Sequence, residues 1–163
     1  MKVAVISDTH IPATCNALPI MLLEGIKDAD LIIHAGDCTE LSVIEELEKI
    51  APVEGVVGNM DTGMISRRFP VKKILELGSF KVGIAHGYGG PDKLIDYVKE
   101  MFKDEKIDCI IYGHSHIPKI DYINDVLYFC PGSPTEKVFA PYNSFGILEI
   151  GEKITPTIVR LDI

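Results

Sequence analysis

Five apolar segments of this chain each run directly into a short cluster of Gly, Asp, Asn or His, and that repeated junction limits the folds open to it. Lys2 to Ile6 ends in Ser7-Asp8-Thr9-His10, Asp30 to His34 in Ala35-Gly36-Asp37, and Val53 to Val57 in Gly58-Asn59-Met60-Asp61. Phe80 to Ala85 ends in His86-Gly87-Tyr88-Gly89-Gly90, and Asp108 to Tyr112 in Gly113-His114-Ser115-His116. The segments are short and rich in β-branched residues, so each reads as a buried strand. Two helical stretches lie between the first three. One runs from about Asn16, available as a cap, to Lys27. The other opens at Thr39 and Ser42 and carries Leu41, Ile44, Leu47 and Ile50 on one stripe. Strand and helix in alternation build a mostly parallel sheet covered by helices.

Beyond residue 70 the order changes. Val71 to Leu77 and Phe80 to Ala85 flank Gly78-Ser79, which predicts a hairpin. Pro91 opens a helix to about Phe102, with Leu94, Val98, Met101 and Phe102 as its packing stripe. Short strands follow near 119–123, 126–130, 144–150 and 153–161. Two sheets with helices outside give a layered α/β sandwich, and 163 residues with no linker or repeat predict one domain over 1–163. With 47% hydrophobic and 25% charged residues, composition excludes disorder, collagen and coiled coil. The run Ala17 to Leu23, interrupted by Pro19, is too short for a membrane span, and Asp8 arrives too early for a signal peptide. A cytoplasmic location is therefore expected. In that compartment Cys15, Cys38, Cys109 and Cys130, with no CxxC pair, should be reduced. Sixteen cations against twenty-four anions, net −8, argue against an extended nucleic-acid face.

In open α/β sheets ligands bind beyond the carboxyl ends of the strands. Asp8, His10, Asp37, Asn59, His86, His114 and His116 all fall there, so five strand ends deliver seven candidate metal ligands to one edge. In Asp8-Thr9-His10 and His114-Ser115-His116 the i, i+2 spacing on extended backbone aims both side chains the same way. Taken alone, an Asp-x-His is also a turn with an Asx cap; the conjunction carries the metal reading. Carboxylate, imidazole and amide together suit Mn²⁺, Fe²⁺, Zn²⁺ or Ni²⁺. Seven ligands exceed one such ion but suit two that share a carboxylate. His34 lies within a strand and reads as a core histidine or one that orients a ligand. Cys38 reads as packing, Arg67 and Arg68 as a solvated pair, and Tyr88 as a pocket wall or a plain turn.

These motifs, Asp8-x-His10, Gly36-Asp37, Gly58-Asn59-x-Asp61, His86-Gly87 and Gly113-His114-x-His116, resemble those of the calcineurin-like metallophosphoesterases, in particular their small single-domain phosphodiesterase branch. Pro131-Gly132-Ser133 is similar to a segment of that branch. The resemblance implies a four-layer αββα sandwich of two mixed sheets flanked by helices. It implies that Asp8, His10 and His116 hold a first metal, Asn59, His86 and His114 a second, and that Asp37 bridges them. A hydroxide bridging two divalent ions, Mn²⁺ or else Ni²⁺, Fe²⁺ or Zn²⁺, would then attack a small or activated phosphate diester without a protein nucleophile. Many relatives carry a general-acid histidine where this chain has Met60, which has no proton to give, so water, the second metal or Asp61 is left to assist the departing oxygen. Cys130 stands where relatives often have Asn. The expected partner is a small phosphate ester, with no membrane partner; self-association is left open. The same fold also serves as a docking subunit of the retromer coat, so a non-catalytic docking module and a phosphomonoesterase or nucleotidase are the alternatives.

Overall fold

Alternation along the first strand sets the layering. In β1 (Lys2–Ile6), Val3 and Val5 face one core while Ala4 and Ile6 face another. The computed structural model describes residues 1–136 and 138–162. The further strands are β2 (Leu31–His34), β3 (Val53–Gly55), β4 (Lys72–Leu77), β5 (Phe80–Ala85), β6 (Cys109–Tyr112), β7 (Lys119–Ile123), β8 (Val126–Cys130), β9 (Asn143–Ile150) and β10 (Ile154–Leu161). The helices are α1 (Ile20–Ile26), α2 (Leu41–Leu47), α3 (Gly63–Arg68) and α4 (Pro91–Met101).

One sheet has the order β10-β9-β1-β2-β3, the other β4-β5-β6-β8-β7. Each is mixed: β1, β2 and β3 run parallel with β9 antiparallel to β1, and β5, β6 and β8 run parallel between antiparallel edges β4 and β7. Helices α1, α2 and α3 pack on the outer face of the first sheet, and α4 on the outer face of the second. The result is the expected αββα sandwich. At each of its three interfaces a phenylalanine ring seats over a glycine. A Cβ on Gly25 would lie 2.6 Å from Phe145 under α1, one on Gly146 would lie 2.4 Å from Phe129 between the sheets, and one on Gly83 would lie 2.9 Å from Phe102 under α4. These notches let flat rings bring the layers close.

Several boundaries differ from the sequence reading. The first helix starts at Ile20 rather than Asn16, because Pro19 drives the residue before it out of helical conformation and itself takes the N-cap place. The second starts at Leu41 with Glu40 at its cap; Thr39 is instead left-handed, with φ 69°. β3 stops at Gly55. Helix α3 was not expected: it is six residues anchored by one buried side chain, Ile65, too short for a periodic signal. The hairpin is as expected, with Leu77 opposite Phe80 and Gly78 at φ 64° in its two-residue turn. All four cysteines are free, and no helix among the described residues is long and apolar enough to cross a membrane.

Phe129 is fully buried in the core between the sheets. Phe129→Ala is expected to cost roughly 3–5 kcal/mol in denaturant unfolding, whereas Tyr122→Ala on the exposed face of β7 should stay within about 0.5 kcal/mol. Equal losses would contradict this layering.

Candidate metal centre

The loops after β1, β2 and β6 carry unusual backbone. Asp8 (φ 57°), His10 (φ 45°), Asp37 (φ 54°), His114 (φ 70°) and His116 (φ 56°) are all left-handed, a conformation costing non-glycine residues roughly 1–2 kcal/mol each. The extended backbone expected at Asp8-Thr9-His10 and His114-Ser115-His116 is therefore absent. Asp8 and His10 still converge, but His114 and His116 part toward different groups. Hydrogen bonds hold this geometry. Ser133 Oγ donates to the Asp8 carbonyl and Thr135 Oγ1 to the Thr9 carbonyl, each at 2.7 Å, while the His10 N–H reaches the Asp37 carbonyl at 3.1 Å. Those contacts give Pro131-Gly132-Ser133 its purpose: Ser133, with Thr135 two residues after it, holds the loop after β1.

Two clusters result, Asp8–His10–His116 and Asp37–His86–His114, with the ligand atoms of each cluster all within 4.8 Å of one another. Each carboxylate divides its oxygens between two tasks. Asp8 Oδ2 accepts from Ser7 Oγ (2.6 Å) and the His114 N–H (3.0 Å), and Oδ1 faces Nε2 of His116 (3.3 Å), His10 (3.7 Å) and His86 (3.7 Å). Asp37 Oδ1 accepts the Met60 N–H at 2.7 Å, and Oδ2 faces Nε2 of His86 (3.2 Å) and His10 (3.7 Å). His86 Nδ1 lies 2.8 Å from the Ala35 carbonyl, which fixes its proton there and leaves Nε2 toward the carboxylates. That Nε2 is buried and has no hydrogen-bond partner among the described residues. Glycine recurs here partly for close approach, since a Cβ on Gly58 would lie 2.1 Å from Asp37 Oδ1 and one on Gly113 2.0 Å from Ser7 Oγ.

Electrostatics agree with a cation site. Burial opposes charge on Asp8, yet the facing imidazoles of His86, His10 and His116 hold it well below the usual carboxylate range. Burial likewise opposes charge on Asp37, and contact with His86 lowers it. Burial disfavours the charged His86, but Asp8 and Asp37 outweigh it and push its pKa up to about 9. A proton thus does at His86 what a divalent cation would do better, and the orphaned Nε2 beside two buried carboxylate oxygens fits such an ion.

The family model for the calcineurin-like phosphoesterase superfamily domain matches residues 1–153. The chain belongs to that superfamily. It is 36% identical over 160 residues to a probable metallophosphoesterase of Methanothermobacter thermautotrophicus, covering 98% of this chain and 92% of the relative. It is 31% identical over 147 residues to a phosphodiesterase of Methanocaldococcus jannaschii, covering 81% and 83%. The crystal structure of Chaetomium thermophilum Vps29 superimposes with a TM-score of 0.79 at 16% identity, over 99% of this chain and 97% of that one, a likeness of fold.

In this phosphoesterase the structure gathers six of the seven sequence-derived ligands into the two clusters. The seventh, Asn59, lines a cavity of about 210 Å³ beside His86. Asp61, expected as one of three candidates to assist the leaving oxygen, accepts three backbone N–H groups. Oδ2 accepts the N–H groups of Asp37 (2.9 Å) and Gly58 (2.8 Å), and Oδ1 that of Thr39 (2.7 Å), so it ties the loops after β2 and β3 together. Met60 is exposed, and its N–H rather than its side chain serves the site. His34 is buried, with Nε2 3.2 Å from Thr9 Oγ1, and burial lowers its pKa to about 4. Cys38 packs in the helix-side core, where burial pushes its thiol up to about 12. Arg68 pairs with Glu48 across α3 and α2. Tyr88 stacks on His114 with ring centroids 6.3 Å apart, a wall rather than a plain turn. Sequence reasoning missed Glu136, whose Oε2 lies 3.3 Å from His116 Nδ1 while Oε1 accepts the Val138 N–H at 2.7 Å. No motif marks it, because its neighbour in space is twenty residues away.

His86 gives a signed pH dependence. A histidine raised from 6.5 to about 9 on folding stabilises the native state fully below 6.5, and that contribution disappears as pH rises through 9. Chelator-treated protein should therefore lose thermal stability across that window, while divalent cation removes the slope; a melting temperature that is flat or rising in chelator would contradict it.

Proposed function

We propose that the protein is a two-metal phosphodiesterase. In this reading Asp8, His10 and His116 hold one ion, Asn59, His86 and His114 the other, and Asp37 bridges. The observation that carries it is Asp37 Oδ2, which faces His86 and His10 from different clusters while Oδ1 stays tied to the Met60 N–H. Mn²⁺ suits the carboxylate, imidazole and amide donors, with Ni²⁺, Fe²⁺ and Zn²⁺ as alternatives. Bound divalent ions supply an activated water and neutralise phosphoryl oxygens.

The chain's own residues orient and exclude. Ser7, Met60 and His114 fix the carboxylates through hydrogen bonds. Asp61, occupied by three N–H groups, is a positioning residue in this reading and not a proton donor. Water oxygen adds to phosphorus and releases a proton to solvent, the P–O ester bond breaks with its electron pair going to the leaving oxygen, and that oxygen takes a proton from solvent, since Met60 offers none. Good leaving groups are thus favoured. The docking-module alternative draws on fold likeness and on Met60 standing where many relatives carry a general-acid histidine, whereas all seven ligand positions here carry suitable donors.

Chelator-stripped protein should hydrolyse bis(p-nitrophenyl) phosphate only after Mn²⁺ is added. His86→Ala should lower that rate by more than about 100-fold, beyond the usual loss from an outer-shell change. No hydrolysis with any of the four metals would overturn the reading. Met60→His should raise the rate on diphenyl phosphate by at least about 10-fold, given the roughly 10²–10⁴ that general acids contribute, with little change on bis(p-nitrophenyl) phosphate. An unchanged diphenyl phosphate rate would count against the solvent-proton account.

A further inference from the structure

Two cavities adjoin the candidate ligands, one at Asn59 and His86 and the other at His114 and His116. The first, about 210 Å³, is walled by Tyr88, Tyr97, Val71 and Met101 beside Asn59 and His86. The second, about 370 Å³, is walled by Phe139, Ile117, Pro91 and Leu94 beside His114 and His116. Rings stand close to the candidate ligands. Tyr88 of the first wall lies 6.3 Å from His114, which lines the second cavity, and 6.1 Å from Tyr97, and Phe139 lies 6.4 Å from His116, centroid to centroid. Tyr88 and Phe139 are 63% and 73% exposed, whereas the other phenylalanines are buried or half-buried. Among the described residues, neither cavity is lined by Lys, Arg, Asp or Glu.

We infer that the substrate is a phosphodiester carrying a flat, uncharged ring system on both sides of the phosphate. The inference rests on the phosphodiesterase reading and adds the substrate class to it. Charge decides the class: with no cation in either wall, a second phosphate on an arm finds no partner, while an aromatic or nucleobase arm finds a ring to stack on. A monoester fills one side and leaves the other wall without a role. The larger cavity takes the bulkier arm. Its wall is anchored to the site itself, because the Val138 N–H and the Phe139 N–H both reach Glu136 Oε1, whose other oxygen faces His116.

The test measures binding as well as turnover. Diphenyl, methyl phenyl and dimethyl phosphate are titrated calorimetrically into Mn²⁺-treated protein, and p-nitrophenyl diesters of matching arms are assayed for KM. Each added ring should tighten binding by about 10-fold. Tyr97→Ala and Phe139→Ala should each remove about one ring's worth of affinity for diphenyl phosphate, and together both. Tyr122→Ala, an exposed tyrosine outside the walls, serves as control and should change nothing. Hydrolysis of all the diesters with equal KM and equal affinity, unaffected by either substitution, would overturn the inference and leave the phosphodiesterase reading intact. Ring-dependent binding without hydrolysis of any ester would support the walls and overturn the reading instead.

Discussion

Two carboxylates, Asp8 and Asp37, are buried within reach of the same imidazoles, and the rest of the site is arranged around keeping them there. Like charges at this depth are costly unless something compensates them. The chain answers in two ways. One oxygen of each carboxylate is fixed by backbone or hydroxyl donors, and the other is turned toward histidines. The donors come from separate loops, so the hydrogen bonds that orient the carboxylates also join the strand ends. Left-handed residues follow from this: each loop reverses just beyond its strand, and Ser133, Thr135 and Asp61 hold the reversed backbone against its intrinsic preference.

Much of this was legible in the sequence because strands and ligands share a signal. A β-branched run that stops at Gly-Asp or Gly-His marks both an element boundary and a candidate ligand, which is why β1, β2, β5, β6 and their polar ends were all found. The hairpin and α4 were equally plain, one from Gly78-Ser79 and the other from Pro91 and its stripe. What escaped lies in tertiary bonding. The i, i+2 spacing of His114 and His116 suggested a common direction, but left-handed φ values send them apart. Nothing in the sequence shows that the Asp61 carboxylate accepts three N–H groups from the loops after β2 and β3. Glu136 and Thr135 carry no local pattern, since their meaning comes from Asp8, Thr9 and His116 far along the chain. Helix α3 has a single buried anchor and no periodicity to read.

The overall charge and the local chemistry point in opposite directions without conflict. A chain at −8 does not gather phosphate through its surface at large, and with three arginines it lacks the residue type that usually clamps one. The cation-demanding site supplies that attraction locally once filled, because a divalent ion outweighs every other charge at that range. Uncharged walls are then consistent with the centre: they add ring surface without competing for the metal or the phosphate.

The central claim is that Asp37 joins two ions in one site. Metal content measured by mass spectrometry after equilibrium dialysis against Mn²⁺, in wild type and Asp37→Asn, tests it most directly. The account predicts two ions per wild-type chain and the loss of both on substitution. One ion in the wild type, or two retained by Asp37→Asn, would contradict it.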